Sequence, residues 1–550
     1  MKIYSLLLIG LIAVPAGFAS AHAATGEITT SGIERLGTVS FPVSCAPSVQ
    51  ARFTRGVALL HDFWYQEAQR QFDEIAKADP NCAMAHWGVA MSLFHQIWDR
   101  PDQATVAHGW REMQAAQAHA AKTAREREYI AALSGFYRPD QRDYRSRIEG
   151  YAAAMAALYD HYPRDTDAGA FYALSLLAAQ APDDASVIQN RKAMAVLSPL
   201  FVKYPDHPGV VHYIIHACDT PSLALDGLAA AKHYGEIAAS APHAVHMPGH
   251  IFARLGLWQA DIDSNVASVA ASHAAEARKQ SGAMDQFHSD DFLLYAYLQT
   301  GEDARAKAVL ADSAAAMAHF ETMSDMGEHY MTGMFPYYRT ELPMVFALEM
   351  RDWNSAAALE TVAGAPPQTQ TLTFWARTVA AGHLHQPQKA KDNLVEYDAL
   401  IQKIKKGSHA YFADSIGARI KRGEMLAWLA YAEGNSADAI EHMQESADLQ
   451  DKAGQGEVDI PAREMLADIL LELGRPQEAL AEYKKALTLS PNRFNGLFNA
   501  GMAAEAAGDK AQAQSYYAIL LKLTDNGSQS TRPEFDHVKS VVSSARLAAK

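Results

Sequence analysis

The sequence lacks the patterns that identify several large enzyme and membrane-protein classes. After the first residues, no segment reaches the ~18 consecutive apolar residues that a membrane span requires, and the alternating polarity of strands is absent. There is no phosphate-binding glycine loop, no Gly-x-Ser-x-Gly elbow and no His-Glu-x-x-His zinc-protease motif. Any chemistry must therefore come from residues outside these motifs.

Positive charge is also scarce. The 550 residues include 48 Lys and Arg against 63 Asp and Glu, which gives a formal net charge of −15. An acidic surface argues against nucleic acid and against anionic membranes as main partners. The remaining composition, 49% hydrophobic and 20% charged, is typical of a globular protein with a large core.

The only long apolar stretch lies at the N-terminus, in MKIYSLLLIGLIAVPAGFASAHAATG. One lysine, an apolar run and the small residues around Ala21–Ala24 have the layout of a secretory signal peptide, which we assign to residues 1–24. An uncleaved anchor is the alternative, but Pro15 and Gly17 interrupt the run. The mature chain is therefore expected to be soluble and either periplasmic or secreted.

Cysteine occurs three times. Cys45 and Cys82 flank the first predicted helical hairpin, and export permits a disulfide, so we predict that these two residues pair. Cys218 lies beside two histidines in a helical stretch. It is interpreted either as a buried, small apolar residue, which we favour, or as a soft metal ligand.

Helical periodicity, by contrast, runs through the whole chain and repeats every 34 residues near the C-terminus. Overlaying PAREMLADILLELGRPQEALAEYKKALTLSPN on the segment that follows it aligns Ala467 with Gly501, Gly474 with Gly508, Ala479 with Ala513 and Tyr483 with Tyr517. These landmarks resemble those of the tetratricopeptide repeat. In such repeats the small residues let two helices approach closely, and the aromatic residue fills the gap to the next hairpin.

The N-terminal part follows the same pattern, with Gly56, Ala68, Phe72 and Pro80 at matching offsets. We therefore predict an all-α fold without a sheet, a tetratricopeptide-like α-solenoid in which helical hairpins form a right-handed superhelix. The predicted organisation is a signal peptide at 1–24, divergent repeats carrying the histidines at 25–455, two well-formed repeats at 456–525 and a tail or capping helix at 526–550.

Histidines recur at the same 34-residue interval. The stretches HYIIHACD and HMPGH each contain two histidines four residues apart, His212 with His216 and His246 with His250. A spacing of four places both rings on one helical face. Two neighbouring first helices, ~10 Å apart on the concave side of the superhelix, would then present four imidazoles to one another. Pro248 predicts that the second helix begins or kinks between its two histidines.

The next hairpin extends this series with an offset of 45 residues. The offset aligns Gly301 with Gly256, His288 with His243, Asp291 with His246 and Tyr295 with His250. Imidazole and carboxylate are ligands of Zn, Fe, Mn and Cu(II). We predict one divalent transition-metal ion, or two, bound by His212, His216, His246 and His250, with His288 or Asp291 completing the shell and His243 and Arg254 nearby. Zn or Cu is favoured, and Fe or Mn if carboxylates join.

The alternative interpretation is that these histidines are ordinary core or surface residues, or a relic of repeat duplication. Four packed imidazoles without a metal would each need another partner, which favours the metal hypothesis.

Four motifs taken together suggest a more specific family. FPVSCAP, DPNCAMAHWGVAM, HYIIHACD and HMPGHIFARLGLW resemble a family of secreted bacterial tetratricopeptide-repeat proteins, over about residues 38–380. The resemblance implies an exported helical-repeat fold and no particular reaction. The motif carries over onto His212, His216, His246, His250 and Arg254.

Two functions follow as hypotheses. One is a metal-dependent enzyme, a hydrolase or an oxidoreductase, with its site in the concave groove and with Asp219 or Tyr213 handling protons. The other is a repeat scaffold that binds a peptide or protein partner, with the metal structural or absent. A catalytic metal keeps an open position, whereas four protein ligands close a structural one. The sequence favours the enzyme and does not indicate its substrate.

Two other groups are ambiguous. His86 and His95 lie nine residues apart on different faces and are expected to pack between hairpins. The segment MGEHYMTGMFPYYRTELP (326–343), rich in Met and aromatics, is either core or the lining of a ligand pocket.

Overall fold

The computed structural model describes residues 34–548 except 98, 120, 141, 182–185, 324–329, 408 and 457. The predicted signal peptide at 1–24 lies outside the described residues. From Arg35 onward the chain belongs to one compact unit.

Regular structure in the described residues is helical, with no strand, as predicted. The first part contains α1 (Gln50–His61), α2 (Tyr65–Ala78), α3 (Ala83–Ser92), α4 (Gln103–Ala118), α5 (Ala124–Tyr137), α6 (Tyr144–His161), α7 (Thr166–Ala178), α8 (Ile188–Lys203) and α9 (Pro208–Cys218). The middle part contains α10 (Ala224–Ile237), α11 (Pro242–His246), α12 (Pro248–Arg254), α13 (Trp258–Ala277), α14 (Asp285–Thr300), α15 (Asp303–Glu321), α16 (Phe335–Glu349), α17 (Trp353–Ala357) and α18 (Pro367–His383).

The C-terminal part contains α19 (Pro387–Ile404), α20 (Ala410–Ala413), α21 (Ile416–Ala432), α22 (Ser436–Ala453), α23 (Ala462–Glu472), α24 (Pro476–Leu489), α25 (Phe494–Ala506), α26 (Lys510–Leu523) and α27 (Glu534–Ala548). A short π-helical segment, Tyr330–Met334, leads into α16. No helix of the described residues is long and apolar enough to cross a membrane.

Consecutive helices pack as hairpins that stack into a solenoid, which confirms the predicted fold class. Sequential pairs such as α21 with α22 and α25 with α26 are in contact, and alternate helices such as α7 with α9 and α18 with α21 also touch. This pattern of neighbour contacts is the one expected for stacked helical repeats.

Small residues lie opposite aromatic rings where hairpins meet, as the repeat pattern predicts. A Cβ added at Gly88 would lie 2.3 Å from a ring atom of Phe72, and one added at Gly501 would lie 2.2 Å from Tyr517. Glycine is therefore required at both positions, because any side chain would overlap the ring that fills the interhelical gap.

The helix array turns back on itself in two places. α1 contacts α9, and α14 contacts α25. The indole of Trp258 donates a hydrogen bond to the carbonyl of Asn492 at 2.7 Å, which joins the middle of the chain to the C-terminal repeats. The buried guanidinium of Arg493 pairs with Glu349 at 2.8 Å and Glu464 at 2.9 Å at the same junction. The first of these contacts involves α9 and the second involves α14. The histidine-bearing helices α9, α11, α12 and α14 thus run along the chain from one contact to the other.

The N-terminal segment is fixed to the first hairpins by covalent and polar contacts. Cys45 and Cys82 form a disulfide with their Cα atoms 4.8 Å apart. The carboxylate of Glu126, at the start of α5, accepts hydrogen bonds from the backbone N–H and hydroxyl of Ser44 at 2.5 and 2.6 Å. Cys218 is buried with a free thiol whose pKa burial raises to about 12, as expected for a small apolar core residue rather than a reactive thiolate.

Candidate metal centre

Six histidines from four helices form two adjacent triads. The first triad is His212, His216 and His243, and the second is His246, His250 and His288. Within each triad, one ring nitrogen of every histidine lies within 4.8 Å of those of the other two. Three imidazoles this close offer the kind of nitrogen donors that transition-metal ions take.

The two triads follow one rule of construction. Each combines an i, i+4 pair from one hairpin with a single histidine from the next hairpin along the chain. The single histidines, His243 and His288, are the pair aligned by the 45-residue offset, and the i, i+4 pairs are aligned by the 34-residue offset. The sequence predicted one ion, or two, bound by His212, His216, His246 and His250, with His288 or Asp291 completing the shell. In the structure these four histidines are divided between two clusters, His288 is the third member of the second, and His243 is the third member of the first.

Proline sets the start of the helices that carry the pairs. Pro208 begins α9 and Pro242 begins α11, again 34 residues apart. The second helix breaks at Met247, and α12 starts at Pro248, as the position of that proline predicts. Proline suits the first helical position because its missing N–H has no partner there in any case.

The break leaves the geometry of the second pair unchanged. The Nε2 atoms of His246 and His250 lie 3.0 Å apart, and those of His212 and His216 are also 3.0 Å apart. Two nitrogens at ~2.0–2.1 Å from one ion would be separated by 3.0 Å at a nitrogen–metal–nitrogen angle of roughly 95°. Both pairs therefore have the separation of neighbouring ligands on one metal.

Hydrogen bonds on the far side fix the tautomer of His246. The amide nitrogen of Asn265 donates to the backbone carbonyl and the carboxylate of Asp261, at 2.9 and 2.7 Å. The amide oxygen of Asn265 therefore faces His246, whose Nδ1–H donates to it at 2.7 Å. This assignment leaves the lone pair of the His246 Nε2 atom directed at His250.

His250 is held in the same way. Its Nδ1–H donates to a carboxylate oxygen of Asp219 at 3.1 Å. With Nδ1 of both rings engaged by oxygen acceptors, their two Nε2 atoms face each other at 3.0 Å. A cation between them would be coordinated by both. A carboxylate or carbonyl behind each ligating imidazole is the usual outer support of protein metal sites.

The first triad has a comparable support. His212 donates from Nδ1 to the backbone carbonyl of His61 at 2.6 Å. His61 is the last residue of α1, so this carbonyl belongs to the negative end of a helix. It holds the ring of His212 and increases the electron density available at its Nε2 atom.

Burial and mutual proximity keep these rings neutral. Desolvation lowers the pKa of His212, His243 and His246 well below 6.5, and neighbouring histidines lower it further. The same two causes lower the pKa of His216 and His288 to about 3, with a nearby aspartate opposing them. Neutral imidazole is the form that binds metal, so these five rings are ready to coordinate near neutral pH.

One phenylalanine closes each triad. The ring of Phe63 lies 4.4, 5.4 and 5.6 Å from the rings of His212, His216 and His243. The ring of Phe292 lies 4.8 to 5.3 Å from the three histidines of the second triad. Phe63 has a positive φ of 56°, a conformation that costs free energy for a non-glycine residue and that recurs at functional sites. These phenyl groups exclude water from one side of each triad.

The opposite side is more open. His216, His250 and His288 are only partly buried, whereas His212 and His246 are buried. Each triad thus has at least one ring that is partly exposed.

Two of the predicted site residues, Asp219 and Arg254, are linked to His250 by hydrogen bonds. The carboxylate of Asp219 bridges His250 and the Nε atom of Arg254, which donates to it at 2.9 Å. Arg254 also donates to the backbone carbonyl of Gln455. Asp219 therefore orients His250 and does not belong to either set of ligands. The proton-handling role of Asp219 stays a prediction.

Tyr213 and Asp291 take part in other contacts. The hydroxyl of Tyr213 lies 2.9 Å from Nδ1 of His61, whose other nitrogen lies 3.0 Å from a carboxylate oxygen of Asp167. Burial raises the pKa of Tyr213 well above 10, so its hydroxyl stays protonated near neutral pH. Asp291 is buried and is in neither triad. Burial is the largest cause of the raised pKa of Tyr337 on α16, and the charge of Asp291 adds to it. The roles of Tyr213 as a proton carrier and of Asp291 as a ligand stay predictions.

His86 and His95 pack in structural contacts, as expected. The Nδ1 atom of His86 lies 2.8 Å from the carboxylate of Glu112, and that of His95 lies 3.1 Å from Asp99. Neither residue belongs to the two triads.

Asn265, Phe63 and Phe292 were not singled out from the sequence. Asn265 follows His246 by 19 residues and lies on α13, and Phe63 precedes His212 by about 150 residues. None of these three residues has a counterpart of the same type 34 or 45 residues further along the chain. The spacing that revealed the histidines therefore could not reveal them.

Two stretches of the chain match a known family. The tetratricopeptide-repeat family model matches residues 65–104 and 424–494. No curated protein matches the chain. Similar solved structures include the human IFIT1 dimer with PPP-AAAA, at 11% identity over 84% of this chain and 86% of that chain with a TM-score of 0.36. Another is Naa15/Naa10 bound to HypK-THB, at 12% identity over 90% and 73% of the two chains with a TM-score of 0.23. The function must be argued from the residues of this chain itself.

Proposed function

We propose that this protein binds two transition-metal ions, one at each histidine triad, and uses them as a metal-dependent enzyme. The observation that carries the proposal is the 3.0 Å separation of the His246 and His250 Nε2 atoms, whose Nδ1 atoms are both engaged by oxygen acceptors. The same 3.0 Å separation recurs in the first triad. Such an arrangement is stabilised when a cation lies between the rings.

The donor set favours copper or zinc. Both triads consist of imidazole, and the predicted carboxylate neighbours, Asp219 and Asp291, are outside them. Imidazole suits copper and zinc, whereas iron and manganese more often recruit carboxylates. Zinc would supply a Lewis acid and an activated water for hydrolysis, and copper would supply one-electron chemistry for an oxidoreductase.

Three protein ligands per ion favour a catalytic over a structural role. A structural zinc is closed by four protein ligands, while a catalytic zinc keeps a position for water or substrate. The partial exposure of His216, His250 and His288 supports such an open position in each triad. Export to the periplasm or the medium is part of the proposal and rests on the N-terminal signal sequence and on the disulfide.

The second candidate is a scaffold for a peptide or protein partner. The match of two stretches to the tetratricopeptide repeat favours it, because repeat solenoids of this kind commonly serve as binding surfaces. In this case the metal would be absent or would only stabilise the fold.

Metal analysis of the purified mature protein tests the proposal. We expect up to two equivalents of copper or zinc per chain, the loss of one equivalent in His246→Ala, and the loss of the other in His212→Ala. His86→Ala is the matched control and should retain both equivalents, because its ring contacts Glu112 outside the triads. A wild-type protein that neither retains metal nor binds copper or zinc stoichiometrically after reconstitution would exclude the metal function and leave the scaffold.

An activity assay distinguishes an enzyme from a protein in which the metal is only structural. The reconstituted protein should consume oxygen with a phenolic or amine reductant if it holds copper, or hydrolyse an activated ester or phosphate if it holds zinc. His216→Ala, His250→Ala and chelation should each abolish the activity while the helical circular dichroism signal remains.

A further inference from the structure

A cavity of about 390 Å³ lies in the C-terminal half, between α16, α18, α21 and the segment before α23, and none of the six triad histidines lines it. Its walls are mostly apolar and aromatic, and include Leu372, Trp375, Phe412 and Val458. A concave, largely apolar cavity of a few hundred cubic ångströms with a few convergent polar groups is the usual form of a small-molecule site. The Met- and aromatic-rich segment at 326–343 contributes Tyr337 and Glu341 to the lining.

The charged groups of the cavity are mostly acidic. Glu341 and Asp459 line it, and Glu424 adjoins it through its hydrogen bond from the indole of lining residue Trp375 at 2.7 Å. Lys421 is the one cation among the residues that line the cavity within the described chain. Two carboxyl groups in the lining, and a third beside it, thus stand against one ammonium.

The lysine is already engaged within the protein. Its Nζ atom lies 3.6 Å from a carboxylate oxygen of Asp459 and 3.8 Å from the centre of the Trp375 ring. These contacts satisfy the ammonium by ion pairing and by a cation–π interaction. A ligand carboxylate would have to compete with Asp459 for Lys421.

One carboxyl oxygen of Glu341 lacks a hydrogen-bond partner among the described residues. Its carboxyl is hydrogen-bonded by the hydroxyl of Tyr337. Its Oε2 atom is buried and, within the described part of the chain, has no hydrogen-bond partner. A buried carboxylate oxygen without a donor costs free energy, and a donor brought by a ligand would remove that cost.

We infer that this cavity binds a small, largely apolar amine, whose ammonium donates to Glu341 and whose hydrocarbon or aromatic body packs against Leu372, Trp375 and Phe412. The inference stands on the cavity, its excess of carboxyl groups and the Glu341 oxygen. It goes beyond the metal function and does not depend on it.

Three indoles of nearly equal size test the ligand class on the full mature chain. Tryptamine carries the ammonium, tryptophol replaces it with a hydroxyl, and indole-3-propionate replaces it with a carboxylate. Isothermal titration should give binding of tryptamine at least tenfold tighter than that of tryptophol, with indole-3-propionate weakest. Equal or reversed affinities, or no binding of tryptamine at millimolar concentration, would overturn the inference.

Two glutamine variants locate the ammonium. Glu341→Gln keeps the size of the side chain and an acceptor for Tyr337, so the tenfold preference for tryptamine over tryptophol should disappear. Glu433→Gln removes one charge from an exposed residue that ends α21 and should keep the preference. A full preference retained in folded Glu341→Gln would place the amine elsewhere and contradict the inference.

Because an amine can also coordinate a metal ion, the titrations are repeated with chelator-treated protein and with His246→Ala. Unchanged tryptamine affinity in both samples is expected. Loss of binding in both would assign the amine to the triads and overturn the cavity site.

Discussion

The Nδ1 atom of His246 donates to the amide oxygen of Asn265 at 2.7 Å, and Asn265 in turn is oriented by two hydrogen bonds to Asp261. All three residues lie on the segment from α11 to α13, and Asn265 and Asp261 are fully buried. This chain of contacts sets which nitrogen of His246 carries the proton, and therefore which nitrogen is available to a metal. Asn265 is thus a positioning residue for the second triad.

Asn265→Ala should weaken the metal affinity of the second triad by about 10- to 100-fold, the usual effect of removing an outer hydrogen-bond partner of a ligating histidine. The affinity of the first triad should stay the same, because His212 is held by the His61 carbonyl. Competition titration with a chromophoric chelator measures both affinities.

Asn499→Ala is the matched control for that change. Asn499 is also buried, and it donates to Asp468 at 3.0 Å in the C-terminal repeats. Its removal should lower stability without changing either metal affinity. If both asparagine variants bind metal as the wild-type protein does, His246 is not oriented for metal by Asn265.

Much of the fold was predictable from repetition. The 34-residue register of Gly501 with its counterpart Ala467 identified helical hairpins, because close helix packing needs small residues at fixed intervals. The same register aligned the two histidine pairs. The 45-residue offset correctly aligned His243 with His288, and the structure uses both as the third member of a triad.

The division into two triads was not predictable from that register. Whether His243 turns toward His212 or His246 depends on the break at Met247 and on the packing of α11 against its neighbours, which sequence spacing does not determine. The contribution of Phe63 depends on the contact of α1 with α9, formed by segments about 150 residues apart. Contacts between segments so far apart in sequence produce no repeated spacing of residues in the chain.

The Cys45–Cys82 disulfide should stabilise the N-terminal repeats. It closes a separation of 37 residues, for which the chain-entropy model gives about 3–4 kcal/mol. Replacing both cysteines with serine should lower the free energy of unfolding of this region by about that amount, measured by urea unfolding of the oxidised wild-type and variant proteins.

Cys218→Ser serves as the control, since it removes a thiol and leaves the disulfide in place. It should retain protection of the N-terminal repeats against limited proteolysis, which the double variant should lose. Identical proteolysis patterns for the double variant and the wild-type protein would show that the bond contributes nothing to this region.

Glycine at the helix crossings can be tested with a pair of alanine substitutions. Gly88→Ala would bring a Cβ to 2.3 Å from the Phe72 ring, and overpacking of this kind costs about 1–3 kcal/mol. Gly150→Ala, at an exposed position inside α6, meets only a side-chain nitrogen of Arg142 at 3.7 Å. It should gain about 0.5–1 kcal/mol because alanine favours the helix. Thermal unfolding should therefore shift in opposite directions, and a shift of the same sign in both variants would contradict the packing argument.

Glu424 should make stability depend on pH. It is buried and accepts a hydrogen bond from the indole of Trp375 at 2.7 Å. Burial, reinforced by the charge of Asp459 and opposed by Lys421, raises its pKa from 4.5 to about 7. Between these two values the folded protein binds a proton that the unfolded chain does not, so the stabilisation is complete below about pH 4.5 and is lost as the pH rises through about 7.

Glu424→Gln keeps the acceptor for Trp375 and removes the titration. Between about pH 5.5 and 8 the free energy of unfolding of the wild-type protein should therefore fall relative to that of the variant, by roughly 1–3 kcal/mol. Glu341, whose pKa burial also raises to about 7, titrates in the same cavity, so the double variant Glu341→Gln, Glu424→Gln should have the flattest profile. Exposed Glu433→Gln should follow the wild-type curve. Urea midpoints measured across this pH range test the prediction. Parallel curves for the wild-type protein and Glu424→Gln would contradict it, and would mean that Glu424 is ionised throughout the range and stabilised in that form by Lys421.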